Sequence, residues 1–377
     1  MASLEEYRNE IDSLDRELTR LFEKRMNVVL KVAQYKKENK LPVLQNGRED
    51  QVLQKAVDNL QNKEYSEAVV KFLNYTMEIS RGLQNKLIQS YEEDEIEIPR
   101  KGLDKKARVA FQGVEGAFSE EALLKIFGED SDRICYEEFE DVFEAIKKDE
   151  VKYGVLPIEN SSTGTITPVL DLLKKYGFYI VAEESIRIDQ HLIGIKGTDL
   201  DKIKEIYSHP QGIEQSMEFL KRRDWKLIPF HNTATSAKLV KDLKDPTKAA
   251  IAGIRAAKIY GLDVIERCIN TQKDNNTRFV VISKNLTVSE DADKVSLAFS
   301  IDNKAGKLYN ILRCFAENDI NMIKIESRPM KDEPWSYIFY AAFDGNIDTK
   351  EAKKALKLIE ESSEYFKLLG AYKKVVG

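Results

Sequence analysis

From residue 4 to about residue 40 the chain contains neither glycine nor proline, and its apolar positions fall at Leu4, Tyr7, Ile11, Leu14, Leu18 and Leu21, then Val28, Val32 and Tyr35. Alternating steps of three and four make a heptad seam, which predicts one long amphipathic helix. At 1.5 Å per residue that helix is about 55 Å long. The two shorter helices predicted at 46–61 and 65–89, the first preceded by Pro42, are too short to cover it. An uncovered seam predicts a partner chain.

The texture then changes twice. Tyr91 to Pro99 is strongly acidic and is followed by Arg100, Lys101, Lys105 and Lys106, which reads as a solvated linker over 91–106. From Arg108 onward short β-type runs (RVAFQ, YGVLPI, FYIVAEESIRI, HLIGI, EIYS, AAIAG, RFVVIS) alternate with helical stretches, the signature of an α/β domain. After Ser289 to Asp293 the order becomes strand VSLAFSI, helix Lys307–Glu317, strands INMIKIES and WSYIFYAAF, helix Thr349–Glu360 and a last strand near 366–375. That βαββαβ order is the ferredoxin-like arrangement. The expectation is a multidomain chain: an all-α domain over 1–90, an α/β domain over 107–285 and an α+β ferredoxin-like domain over 293–377.

Composition narrows the function. Of 377 residues 42% are hydrophobic and 33% charged, enough apolar material for several cores. A net charge of −5 provides no basic face for nucleic acid, and no apolar run approaches a membrane span. The start, MASLEEYRNE, has no signal-peptide core. Cys135, Cys268 and Cys314 are far apart, and three histidines without an HExxH motif suggest no metal. The expectation is a cytoplasmic enzyme with neither metal nor cofactor.

Charges interrupt the helical seam. Extending the heptad past Leu21 lands on Arg25, and an unpaired buried guanidinium costs several kcal/mol. Something anionic should meet it. Lys36 shares its face, eleven residues on, whereas Arg8 lies about 100° off that face and roughly 25 Å away. Within one chain Arg8 cannot serve the same pocket, but a partner's Arg8 can. Glu49 leads the apolar face of the second helix, and Ser80 with Gln84 lies on the inner stripe of the third. A dimerisation arm in which Arg25 pairs with Glu49 explains the spacing equally well.

These residues are also recognisable. Arg8-x2-Ile11-x2-Leu14-Asp15, Arg25, Lys36, Pro42-Val43, Arg48-Glu49 and Ser80-x3-Gln84 resemble the all-helical chorismate mutase family, whose pocket is built in an intertwined dimer. The resemblance implies that Arg25, Arg48 and the partner's Arg8 surround the substrate carboxylates and ring. It implies that Lys36 and Gln84 donate to the ether oxygen, that Glu49 takes the ring hydroxyl, and that Ser80 assists at a carboxylate. Gln45 stands where the family often has Asp. A pericyclic rearrangement needs only a compact conformer and donors aimed at developing charge.

In the α/β domain four strand ends carry polar clusters, where ligands of open α/β sheets bind. They are Gly113-x2-Gly116-x2-Ser119, Glu159-Asn160-Ser161 with Ser162 to Thr165, His209-Pro210-Gln211, and Asp274-Asn275-Asn276-Thr277 before Arg278-Phe279. Singly, Ser119, Ser161 and Thr163 read as helix caps, His209 as a hydrogen-bonded loop histidine and Arg278 as a surface cation. Together the strings resemble the prephenate dehydratase family. That implies two lobes like a periplasmic binding protein, a site in the cleft between them, and Thr277 as the essential residue. Glu159 is the one acid in these strings considered as a proton source.

The last domain resembles an ACT module through Glu326-Ser327-Arg328-Pro329, with Asp302-Asn303-x2-Gly306-Lys307-Leu308 at its first helix start. The resemblance implies L-phenylalanine bound between such domains near Asn303, Gly306, Leu308, Glu326, Ser327 and Arg328. In their order the three segments resemble the bifunctional chorismate mutase/prephenate dehydratase family. This implies chorismate converted to prephenate, then to phenylpyruvate, under feedback by phenylalanine, in a homodimer or larger homo-oligomer. The alternatives are an arogenate dehydratase activity in the second domain, or an amino-acid sensor without catalysis.

Overall fold

The computed structural model describes residues 3–39, 41, 47–89, 99–330 and 335–375. They divide into two compact units, 1–97 and 98–377. Among the described residues no helix is long and apolar enough to cross a membrane.

The first unit is α1 (Leu4–Glu38), α2 (Arg48–Asn59) and α3 (Ser66–Gln89). A capping box between Ser3 and Glu6 starts α1, acidic residues fill its first turn and basic ones its last, all favourable to the helix dipole. Arg25 meets Thr76 and Ser80 while Lys37 meets Leu87, so α1 and α3 run in the same direction. The buried line on these helices is Met26, Ala33 and Lys36 with Thr76, Met77, Ser80 and Gln84. The heptad seam faces outward instead: Leu4, Ile11, Leu14, Leu18, Val28 and Tyr35 are each about half exposed or more, as are Phe72 and Tyr75 of α3.

The second unit opens with a six-stranded sheet ordered β2-β1-β3-β11-β5, with β4 on β3. These strands are β1 (Val109–Gln112), β2 (Arg133–Tyr136), β3 (Tyr153–Asn160), β4 (Gly164–Thr165), β5 (Tyr179–Arg187) and β11 (Asn276–Ser283). Helices α4 (Phe118–Phe127), α5 (Phe139–Lys147) and α6 (Thr167–Tyr176) cover it. A second sheet, β10-β6-β9-β7-β8, consists of β6 (His191–Gly194), β7 (Glu205–Ser208), β8 (Lys226–Pro229), β9 (Lys248–Ala252) and β10 (Asp263–Glu266). It carries α7 (Pro210–Gln215), α8 (Met217–Leu220), α9 (Thr233–Leu243) and α10 (Ile254–Tyr260). The chain leaves the first sheet after β5 and returns at β11, so two crossings join two lobes.

The remaining strands, β12 (Lys294–Ser300), β13 (Met322–Pro329), β14 (Tyr337–Asp344) and β15 (Tyr365–Tyr372), form an antiparallel sheet ordered β13-β14-β12-β15. With α11 (Lys307–Ala316) and α12 (Lys350–Glu361) this is the expected βαββαβ arrangement. One face of its sheet packs under these helices around Leu297, Phe299 and Phe343. The other shares a core with the first lobe: Ala298, Ile338, Tyr340 and Leu369 lie in one cluster with Phe143, Leu156, Leu173 and Ile180. The third segment is thus built onto the first lobe rather than standing apart.

Gly370 makes that contact possible. A Cβ there would collide with the carbonyl oxygen of Ile180, and backbone cannot give way as a side-chain tip can. Gly370→Ala should therefore destabilise the second unit by about 1–3 kcal/mol, the usual range for overpacking, read as a lower denaturation midpoint. An unchanged midpoint would mean that this packing is not maintained in solution.

Candidate active sites

In the first unit Arg25 turns inward. Its Nη1 donates to Ser80 Oγ and, at 3.4 Å, to the carbonyl of Thr76. Burial pushes the guanidinium below its ordinary pKa, but guanidinium keeps its charge in proteins. Lys36 and Gln84 are buried, and Gln84 Oε1 has no hydrogen-bond partner. Ser80 and Gln84 are one turn apart on α3 and share a stripe, so a cation and an unused amide oxygen border the same buried strip. Glu49 is ion-paired with Arg81, not with Arg25, which corrects the pairing expected of a plain dimerisation arm. Arg81 escaped the sequence reading, although Glu49 on an apolar face required some cation. Arg8 and Arg48 are exposed. Pro42, Val43 and Gln45 lie outside the described residues.

The second cluster sits where the two lobes meet. β3 and β11 pair antiparallel with Thr277 opposite Asn160, so both side chains leave the same face of the sheet. Asn160 Nδ2 donates to Thr277 Oγ1 at 2.8 Å, to Asn275 Oδ1 at 2.8 Å and to the Asn276 carbonyl at 3.3 Å. Its Oδ1 accepts from the backbone N–H groups of Ser162 and Thr163 at 3.0 and 3.1 Å and from the Ser162 hydroxyl at 2.6 Å. A carbonyl partner on one side and N–H partners on the other fix which amide atom is nitrogen. The amide therefore occupies an acceptor position on Thr277 Oγ1 and leaves the hydroxyl proton for something else.

From the facing lobe Gln211 Nε2 reaches Thr163 Oγ1 at 3.0 Å and Gln215 Nε2 reaches Ser162 Oγ at 3.4 Å. A polar cavity opens beside these bonds, lined by Ser162, Thr163, Glu214, Gln215, Asn270 and Asn275 among others. Gln190 Oε1 and Asn275 Nδ2 are buried without partners. Buried polar atoms are normally paired, and the Asn275 amide nitrogen, whose residue lines the cavity, is a donor suited to a ligand oxygen. Ser119 stands on the first turn of α4, where the cap is Ala117 and no side chain caps the helix end. Next to it the buried Glu120 binds the Gly116 N–H, Arg133 and Arg255, tying α4 to the second lobe.

The family model for chorismate mutase type II matches residues 7–85, and that for prephenate dehydratase matches 109–287. A bifunctional chorismate mutase/prephenate dehydratase from Buchnera aphidicola is 31% identical over 375 residues, covering 97% of this chain and 95% of the relative. The chain belongs to the bifunctional chorismate mutase/prephenate dehydratase family. The chloroplastic arogenate dehydratase/prephenate dehydratase 1 of Arabidopsis thaliana is 34% identical over 287 residues, covering 72% of this chain and 73% of the relative. The solved prephenate dehydratase of Arthrobacter aurescens, in complex with L-Phe, aligns with a TM-score of 0.65 at 28% identity. That alignment covers 71% of this chain and 90% of the other.

Glu159, Arg278 and Phe279, expected in the dehydratase cleft, lie elsewhere, while Ser161 and His209 hold its backbone. Glu159 and Arg278 oppose each other one step along the same strands, so they leave the sheet on the face away from Thr277. Arg278 Nη1 binds Glu159 Oε2 at 2.8 Å, and Lys324 Nζ binds Glu159 Oε1 at 3.1 Å. Burial alone would push the Glu159 carboxyl up, but Lys324, then Arg278 and Lys294, outweigh it and hold it below the ordinary value. An ionised, doubly paired carboxylate is a poor proton source, so that expectation is corrected. Phe279 is buried in the core with Phe111 and Val155 and cannot touch a ligand. Ser161 ties the loop to β11, donating to the Asp274 carbonyl and accepting from Asn276 N–H. His209 caps α7, its Nδ1 accepting from Gln211 N–H at 3.2 Å, and burial lowers its pKa.

The phenylalanine set divides in the same way. Glu326 accepts from Thr165, and Arg328 lies 3.7 Å from Asp171, so both face the first lobe. Ser327 faces the opposite side with the exposed Ile323 and Ile325. Asn303 and Gly306 are exposed at the start of α11, and Leu308 is half-buried in the core of the third domain.

Proposed function

We propose that the first unit rearranges chorismate to prephenate and that the cleft of the second converts prephenate to phenylpyruvate. The observation that supports the second step is the hydrogen bond from Asn160 to Thr277 Oγ1 at 2.8 Å, which leaves the threonine proton available to a ligand. In that step the bond to the ring carboxylate breaks, carbon dioxide departs, and its electron pair enters the ring. The C–O bond opposite then breaks with loss of hydroxide. Prephenate dianion plus one proton gives phenylpyruvate anion, carbon dioxide and water. Aromatisation drives the step, and Thr277 stabilises the leaving oxygen while solvent supplies the net proton. Ser119, Asn160, Gln211 and the loop from Ser161 to Thr163 orient the anion.

For the mutase, Arg25 and Arg48, with Arg8 of a second copy, hold the two carboxylates, and Ser80 assists. Lys36 and Gln84 donate to the ether oxygen. The pair with Arg81 involves Glu49 Oε1 and leaves Oε2 for the ring hydroxyl. The exposed seam of α1 supports the dimer, because a second copy is the cover that matches its length. We assign the third domain to the ACT type and L-phenylalanine to it as inhibitor, bound on the side that carries Ser327 and the Gly306 helix start. The Arthrobacter relative in complex with L-Phe supports this. The Arabidopsis relative favours a second reading, arogenate as an alternative substrate for the same cleft.

The test is product analysis with metal-stripped protein given chorismate, prephenate and arogenate separately. Phenylpyruvate should form from the first two, more slowly with added L-phenylalanine. Phenylalanine formed from arogenate would support the second reading. No turnover of chorismate and prephenate would leave only a sensor.

A further inference from the structure

The start of α4 belongs to the first lobe in sequence but is held by the second. Val114 and Ala117, on the loop between β1 and α4, pack against the second-lobe core that contains Ala256 and Ala257. Gly116 lies so close to α10 that a Cβ there would sit 2.9 Å from Ala256 Cα. Tyr260, at the end of α10, donates its hydroxyl to the Glu115 carbonyl at 2.9 Å. Glu120, on the first turn of α4, is fully buried. Its Oε1 accepts from Arg133 Nε at 2.9 Å, and its Oε2 accepts from the Gly116 N–H at 2.7 Å and from Arg255 Nε at 3.2 Å. Arg255 Nη2 also reaches Glu129 Oε2 at 3.4 Å, just beyond the last turn of α4. One guanidinium from α10 thus grips carboxylates from both ends of α4.

A buried carboxylate needs a partner, but Glu120 has two from its own lobe, Arg133 on β2 and the Gly116 N–H. Glu129 is mostly in water. Loss of Arg255 therefore strands no buried charge; what it removes is the polar grip of the second lobe on α4. Ser119 immediately precedes Glu120 on that first turn. We propose that Arg255 is a positioning residue for the dehydratase: from the second lobe it fixes the first turn of α4 through Glu120, and so sets where Ser119 meets the substrate anion. An anion contact supplied by one lobe is then adjusted by the other, and its strength depends on how the two lobes approach. This rests on the reading of the cleft as the prephenate site with Ser119 among the residues that orient the anion.

The experiment compares Arg255→Met, Arg255→Lys, Ser119→Ala and the double variant Arg255→Met/Ser119→Ala with the wild-type full chain. It measures kcat and KM for prephenate, mutase turnover and the thermal midpoint. Loss of a charged hydrogen bond should raise the KM of Arg255→Met about tenfold, with kcat changed less than about threefold, the mark of lost binding rather than lost chemistry. Mutase turnover and the midpoint should stay close to wild type. Arg255→Lys, which returns the charge without the fork that reaches two carboxylates, should recover part of the KM. Because Arg255 acts through Ser119, the double variant should raise KM by less than the product of the two single effects. A wild-type KM in Arg255→Met would overturn the proposal, as would single effects that multiply in full in the double variant. A wild-type chain that does not turn over prephenate would defeat the reading of the cleft and this proposal with it.

Discussion

Thr277→Val should lower prephenate turnover by about 10²–10³-fold, the usual loss when one donor to a developing oxyanion is removed. Valine keeps the shape and the β-branching that suit a strand, so β11 should stay in register and KM should change little. Asn160 Nδ2 would lose one acceptor but keep Asn275 Oδ1 and the Asn276 carbonyl. Thr277→Ser, which retains the hydroxyl, should recover much of the rate. Mutase turnover serves as the control, since its cluster lies in the separate unit 1–97. Normal dehydratase kcat in Thr277→Val would mean that the leaving oxygen is served by another group. Loss of both activities in folded protein would mean that the two sites are not separate.

Long-period patterns carried far in the sequence and short ones did not. The heptad of α1, the helix of residues 66–89 and the βαββαβ order are each fixed by many positions that agree. The strands left unread, β2, β4, β8 and β10, are two to four residues long and lie at sheet edges, so none has a fully buried residue to mark it. Within the site, reading Thr277-Arg278-Phe279 as one string obscured the two-residue period of a strand. That period sends Thr277 to the cleft and Arg278 to the third domain. The same period separates Ser327 from Glu326 and Arg328. Gln215 meets Ser162 only through the pairing of two lobes far apart in sequence, which no local pattern encodes. Gln215 had a signal, one helical turn after Gln211 on α7.

The seam and the buried cations make the second large prediction. Lys36→Met should lower mutase turnover by about 10²–10³-fold, because a pericyclic step has no covalent catalyst to fall back on and depends on donors at the breaking bond. Methionine fills similar space with a flexible chain, which keeps the loss from being simple unfolding of α1. Dehydratase turnover should remain near normal. The exposure of Arg8, far along α1 from Arg25, gives this prediction a stricter form. If each pocket takes Arg8 from the other copy, then Arg8→Ala and Lys36→Met homodimers are both impaired in every pocket. In a mixed dimer one pocket carries both defects and the other carries neither. Mixing the two inactive variants should therefore restore mutase activity, up to about a quarter of the wild-type value per chain when exchange is random and each heterodimer regains one pocket of two. The fraction should rise with the amount of heterodimer separated by differently tagged chains. Demonstrated heterodimers without recovery would place Arg8 in its own chain's surface and leave the seam to pair for stability alone.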